Sequence, residues 1–434
     1  MVRHYLPAND PCNSTGCINR RLLLIAPYYF PANYGGAPQV YHQLFSRLKG
    51  WQVTIMTQAG KADPDRAAEF DRNAAEEYGY RVVRLPSLQP KLDMQQYFLR
   101  RVLELLLGFR RIAGQWDGLL RSIRPEVVIC GETSSCGWLM QRLPENIRRV
   151  NYIHGEELTM NHSRGPVARL LRRGQYRTLR KADLNLAVSR YTAAKAAELT
   201  GAPESHFRWF PNFVDTGRFQ PPLDREALRL RLGWSERVVL LTVARLEPRK
   251  GIDRALAAFE ALALRGALPD GWVYVIGGRG GQEAVLRQRA QSPALAGHVQ
   301  FLGFVPDEEL PDLYGAADLF LQTNVDIDGD TEGFGLVFLE ASACGTAVLG
   351  GVAGGTADAI EDGVSGLRVD CDDRPALESA LLSLLSDPAF RERLAGAGLE
   401  RARKYFSVDE AALRLQTLLD ELLLAGVTDR REHG

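Results

Sequence analysis

From Arg21 onward, short runs of apolar and β-branched residues alternate with longer stretches of helical pattern, and this alternation constrains the fold more than any other feature. "RLLLIAPYYFP", "QVTIMTQ", "RVVRLP", "PEVVICGE", "RRVNYIHG" and "ADLNLAVS" read as strands, with helical patterns such as "APQVYHQLFSRLKG" and "YFLRRVLELLLGFRRIAGQW" between several of them. Such alternation is the signature of an α/β fold, a parallel sheet with helices on both faces. The rhythm breaks around "FPNFVDTGRFQPPLDREALRLRLGW", then restarts with "RVVLLTVARLEPRKG", "GWVYVIGGRGG", "HVQFLGFVP", "ADLFLQT", "TAVLGG" and "SGLRVD". A chain of 434 residues accommodates two doubly wound, Rossmann-like domains, expected over 21–215 and 216–405. An N-terminal extension, 1–20, precedes them, and a C-terminal helix, 406–434, follows and can cross back to the first domain. Ligands of these sheets sit beyond the carboxyl ends of the strands, and two such domains bring those ends together across a cleft.

Apolar content of 45% and charged content of 24% are those of a globular protein. No apolar run approaches the roughly 20 residues of a membrane span, and residues 1–20 lack the apolar core of a signal peptide, so a cytoplasmic location is expected. The six cysteines (12, 17, 130, 136, 344 and 371) form no Cys-x-x-Cys pair and have no histidine at zinc spacing, so reduced packing thiols are expected. Net charge is zero but uneven. Residues 1–215 hold 30 Lys+Arg against 19 Asp+Glu, a balance of +11, and the remainder holds the opposite, −11. Such asymmetry predicts different partners for the two halves.

The acidic stretch "DIDGDTEGFGLVFLEASACG", Asp326 to Gly345, offers three readings: a metal site, a phosphate cradle or a solvated loop. Asp326, Asp328 and Asp330 imitate the start of a calcium loop, but such a loop needs Gly at its sixth position and Glu at its twelfth, and these hold Thr331 and Val337. No metal site is therefore expected. Gly333, Phe334 and Gly335 form a turn before a short helix that begins near Leu336 and stops at Gly345. Backbone N–H groups at a helix start favour an anion, and Glu332 and Glu340 flank that point, where they can accept from hydroxyls attached to a bound phosphate. Arg245 and Lys250 follow another strand and suit diphosphate oxygens. Gly277 and Gly278 open a close-approach turn after "WVYVI" that can lie against a base or ribose; Gly35 and Gly36 open a helix after the first strand. His154, before Gly155 at a strand end, is a further candidate, although a lone histidine is commonly structural.

Taken in order, "PNFVD", "VARLEPRKG", "VIGGRGG", "LGFVPDEELPDLYGAADLFLQT", "EGFGLVFLEASACGTAVLGG" and "GGTADAIEDGVSGLRV" resemble the C-terminal domain of the retaining glycosyltransferases of family 4, which have the GT-B fold. In the first half the resemblance rests on the Gly-Gly loop, "HGEE" and "KADLNLAVSRYTA". It implies that Glu332 contacts hydroxyls of the donor sugar and Glu340 the ribose. Arg245 and Lys250 would bind the donor diphosphate and stabilise it as it leaves, helped by backbone donors of Gly333 to Leu336. His154 would lie near the transferred sugar, and Gly35 and Gly36 near the reacting centre. "GGRGGQE" lacks the acidic or proline residue common in that turn.

The function implied is a hexosyltransferase that moves a sugar, with retention, from a nucleoside diphosphate sugar to an acceptor hydroxyl in polysaccharide, lipopolysaccharide or glycolipid synthesis. It needs no metal or other cofactor and has no nucleic-acid partner. The alternatives are another GT-B activity, such as an epimerase or phosphorylase, or a non-catalytic nucleotide-sugar-binding protein; a nicotinamide oxidoreductase lacks its dinucleotide fingerprint here. Arg-rich amphipathic stretches at 99–116 and 163–183 read either as solvated faces or as a peripheral contact with anionic membrane, which would suit a lipid-linked sugar acceptor.

Overall fold

The computed structural model describes residues 20–32, 35–60, 63–88, 98–159 and 166–432; the extension up to residue 19, with Cys12 and Cys17, lies outside them. Among the described residues, thirteen strands form two parallel sheets. In the first, β1 (Arg20–Ile25), β2 (Trp51–Gln58), β3 (Tyr80–Leu85), β4 (Val127–Cys130), β5 (Arg148–Ile153), β6 (Leu184–Ala187) and β7 (Phe207–Trp209) lie in the order β3-β2-β1-β4-β5-β6-β7. In the second, β8 (Val238–Val243), β9 (Trp272–Gly277), β10 (Val299–Gly303), β11 (Leu319–Gln322), β12 (Ala347–Gly351) and β13 (Leu367–Val369) lie in the order β10-β9-β8-β11-β12-β13. Strands covered on both faces read as unbroken apolar runs rather than alternating ones. β4 and β11 show this, since every one of their residues is buried.

Both sheets reverse their order beside their first strand, between β1 and β4 and between β8 and β11. The registers Ile25↔Cys130 and Leu319↔Leu240 fix those junctions, and loops that leave them open the crevices where ligands of doubly wound sheets bind.

The chain passes between the sheets twice, side by side. Val214 N donates to Phe406 O (2.8 Å) and Val408 N to Val214 O (3.0 Å). Beyond this the last helix, Val408–Glu432, packs on the helix Gly36–Phe45 beside the first sheet; its Leu415 and Leu419 are fully buried and its Asp420 pairs with Arg20. The two units also meet directly. Asp358, 2% exposed, accepts from the backbone N of Arg190 at 2.6 Å and pairs with its guanidinium, so a carboxylate of the second unit caps the helix Arg190–Thr200 of the first. Gln39 donates to Asp307 across the same junction (2.6 Å).

Candidate active site

The loop after β11 ends in Glu332, and the turn Gly333–Gly335 leads into the helix Leu336–Ala343. Gly335, with φ +92°, adopts the left-handed geometry that ends the loop and leaves the N–H groups of the helix start without helical acceptors. Glu332 lies inside. Its Oε2 accepts from Lys250 Nζ (2.5 Å), Arg249 Nη1 (3.3 Å) and Gln322 Nε2 (3.1 Å). Burial alone would raise its pKa, but the Lys250 ammonium and the Arg249 guanidinium overcome that and hold it at about 2. Gly251 makes this cluster possible: a Cβ there would lie 1.7 Å from the carbonyl oxygen of Thr323, so only glycine lets the β8 loop press Lys250 against the end of β11.

Arg249 is a residue that sequence reasoning missed. Its side chain is 4% exposed and touches Glu332 (3.3 Å), Glu156 (3.3 Å), Asp330 (3.4 Å) and Glu247 (3.9 Å). Arg245, chosen from the sequence, is instead half-exposed, and it pairs with Glu247 (3.0 Å) and Glu156 (3.1 Å). In "RLEPRKG" nothing local says which arginine turns inward. Of the three aspartates, Asp326 accepts from Gly329 N (2.7 Å) in its own turn, Asp328 adopts φ +53°, and Asp330 faces Arg249.

Glu340, on the helix, is not joined to this cluster. It accepts from Tyr314 Oη at 2.9 Å, and burial pushes its pKa up to about 7 against the lowering effects of that hydrogen bond and of Arg218. The glycines at the end of β9 have a packing reason. A Cβ at Gly277 would meet Val305 Cγ2 at 2.9 Å, and one at Gly278 would lie 1.8 Å from Ala244 O. Both let the strand bed against its neighbours and against the loop that carries Arg245.

His154 follows β5 and faces this assembly from the first unit. Its Nε2 lies 2.8 Å from Tyr41 Oη, which donates its only proton to Gly131 O at 2.7 Å. The imidazole must then donate through Nε2–H, which leaves Nδ1 as an acceptor. Burial lowers its pKa to about 3, so it is neutral at physiological pH. Tyr41 was invisible as a partner, because in "APQVYHQLF" it reads as one more core aromatic. A Cβ on Gly333 would lie 2.4 Å from the His154 carbonyl oxygen, and one on Gly36 would lie 3.6 Å from Leu336 Cδ1. Gly35 is the N-cap of the helix that Gly36 begins. The structure thus brings Gly36, His154 and the 333–336 turn together, with Glu332, Arg249 and Lys250 behind the turn.

This geometry can be set beside known proteins. The family described as glycosyl transferases group 1 matches residues 224–401, and the one described as glycosyltransferase family 4 matches residues 34–218. The GDP-mannose-dependent alpha-(1-6)-phosphatidylinositol monomannoside mannosyltransferase of Mycolicibacterium smegmatis is 32% identical over 415 residues, which span 94% of this chain and 100% of the relative. The chain belongs to glycosyltransferase family 4. A second relative, the D-inositol 3-phosphate glycosyltransferase of Geodermatophilus obscurus, is 37% identical over 249 residues, 56% of this chain and 53% of the relative. Among solved structures, Anabaena HepE in complex with UDP superposes with a TM-score of 0.72 at 18% identity, covering 93% of this chain and 100% of that one. Sucrose-phosphate synthase from Thermosynechococcus elongatus gives 0.71 at 22% identity, covering 94% and 100%. Those likenesses show the fold, GT-B, in which the two sheets of this family-4 enzyme are its two Rossmann-like units. The activity class follows from the family: a glycosyltransferase that takes a hexosyl unit from a nucleoside diphosphate sugar.

Proposed function

We propose that this glycosyltransferase transfers its hexosyl unit with retention and without a metal ion, from GDP-mannose to a hydroxyl of a lipid-linked sugar or polyol. The observation that carries the reading is the ionised Glu332 behind the start of the helix Leu336–Ala343, with Lys250 and Arg249 on one side and the His154 turn on the other. A sugar joined to a diphosphate is already activated, so the enzyme's main task is to stabilise charge that develops on the leaving phosphates. Arg245, Arg249, Lys250 and the N–H groups of 333–336 supply positive charge there. Glu332 accepts from hydroxyls of the sugar, as does the free Nδ1 of His154, and Glu340 accepts from the ribose. GDP-mannose is the donor of choice because mannosyltransferase relatives are named for it. Thermal-shift titration with GDP, UDP, GDP-mannose and UDP-glucose tests the donor, since a ligand of the folded state raises its melting temperature. Stabilisation by uridine nucleotides alone would move the assignment to a UDP-sugar. Transfer assayed in excess EDTA should persist, and proton NMR of the product should show the donor's anomeric configuration.

Glu340 makes the nucleotide step pH-dependent. Ribose hydroxyls donate to a carboxylate, whereas burial holds this carboxyl near 7. Nucleotide affinity should therefore rise as pH increases through about 7, and calorimetry on Glu340→Gln should show a flat profile with weaker binding.

The acceptor side draws on the basic helix Pro166–Arg180. It exposes Leu170 (67%) and Leu171 (58%) beside Arg169 and Arg173, which is an arrangement suited to the surface of an anionic bilayer. No helix among the described residues is long and apolar enough to cross a membrane. In the other basic stretch the side chains of 98–106 lie outside the described residues, while Leu107 is exposed beside Arg110 and Arg111. Sedimentation with phosphatidylglycerol vesicles should bring the protein down at low salt, and replacing Arg169, Arg172 and Arg173 by Gln should weaken that binding by on the order of a hundredfold, at ~1 kcal/mol per arginine. Protein that stays in the supernatant would point to an acceptor free in solution.

A further inference from the structure

The cationic cluster that should receive a diphosphate is already neutralised. Among the described residues, Arg245, Arg249 and Lys250 are paired with four carboxylates, Glu156, Glu247, Asp330 and Glu332. A dianionic diphosphate that enters a network of three positive and four negative charges is repelled unless a carboxylate leaves.

Three of the four are poorly placed to leave. Glu332 is buried under Lys250, Arg249 and Gln322. Asp330 closes the small bridge with Ile327, and Glu247 sits in the loop of Arg245 itself. Glu156 differs in every respect. It comes from the other unit, its side chain is 53% exposed, and a single oxygen, Oε1, serves both Arg245 Nη2 (3.1 Å) and Arg249 Nη2 (3.3 Å). It also stands on a four-residue helix, Glu156–Thr159, directly after Gly155.

We propose that Glu156 is an internal counter-anion that occupies the diphosphate's place between Arg245 and Arg249 and that the donor must displace. The inference rests on the functional reading above. The adjacent glutamate explains how displacement spares the rest of the site. Glu157 accepts from the backbone N of His154 (3.2 Å) and of Gly155 (3.0 Å), which pins the turn while the neighbouring side chain swings out. His154 therefore stays in place as the anions exchange. An occupied cradle also sets a threshold: a ligand with one weakly charged phosphate gains little by replacing a carboxylate, whereas a diphosphate gains contacts with both arginines. Closure survives the exchange, because Arg190–Asp358 and Gln39–Asp307 hold the units independently.

Calorimetric titration of the full chain and of Glu156→Gln with GDP and with UDP tests this. Because the Glu156 side chain is half-exposed and its pairs with the two arginines are correspondingly weak, the variant should bind the nucleoside diphosphate about three- to tenfold more tightly. The gain should shrink as salt is raised, and Glu156→Ala should reproduce it. Should wild type bind GDP or UDP and neither variant bind more tightly, the counter-anion role is refuted and the functional reading stands. A correctly folded wild type that binds neither refutes both.

Discussion

Glu332→Gln should lower sugar transfer by on the order of 10²- to 10³-fold, the usual cost of one preorganised polar contact with the transition state, while binding of the nucleoside diphosphate is kept or tightened. The split follows from position. Glu332 stands on the sugar side of the helix start and is itself an anion, so its removal cannot weaken attraction for phosphate. Gln retains an oxygen for Lys250 and Arg249, whereas Ala would strand two nearly buried cations, 11% and 4% exposed, and confound activity with a stability loss of about 3–5 kcal/mol. Because the carboxyl is held at about 2, Glu332 stays ionised from mild acid upward, and the pH profile of transfer should show no limb that the Gln variant removes. Steady-state kinetics beside calorimetry decide the matter. A tenfold loss of nucleotide affinity with transfer intact would overturn the assignment of Glu332 to the sugar.

The second large effect is expected at Gly333. An added methyl would sit 2.4 Å from the His154 carbonyl oxygen, a backbone atom that cannot rotate away, so Gly333→Ala must push the two units apart. Displacements of about 1 Å in a positioned site cost on the order of 10²-fold in rate. Transfer should therefore fall by that order while each sheet keeps its own core, and X-ray scattering should show a larger radius of gyration. Ala at Gly114, around whose Cβ position there is nothing within 4 Å, is the control and should leave activity unchanged. Unaltered scattering together with full activity would show that the closed contact between His154 and Gly333 is not the working geometry.

How much of this was legible depends on the range of the signal. The six strands expected in the second half are all present, because glycines and polar residues mark the ends of each apolar run; β8, β9, β11 and β12 are mostly or wholly buried, whereas the outer strands β10 and β13 are only partly so. In the first half six are expected, and the described residues hold seven. β7 is three residues, "FRW", too short to show any period, and pairing with β6 creates it. "RLLLIAPYYFP" was read as one run, yet the strand stops at Ile25, and Tyr29 and Phe30 turn inward to pack as aromatics. Candidate residues next to a strand end or a glycine could be picked out as types. Their partners could not, because Glu332 meets Lys250 across 82 positions and His154 meets Tyr41 across 113.

The two-sheet α/β architecture is written along the chain, as are the strand-end loops that carry Glu332, Lys250, His154 and the glycine turns. Those depend on periodicity and backbone permissiveness, which are local properties of the chain. Long-range packing places Arg249 rather than Arg245 inside, lets Tyr41 set the tautomer of His154, raises the Glu340 carboxyl to about 7 while Glu332 is held ionised, and brings Glu156 across to both arginines. Each of these is a matter of burial and of charges brought together from distant segments. An arginine or a carboxylate has no fixed behaviour until the fold has set its solvent and its neighbours.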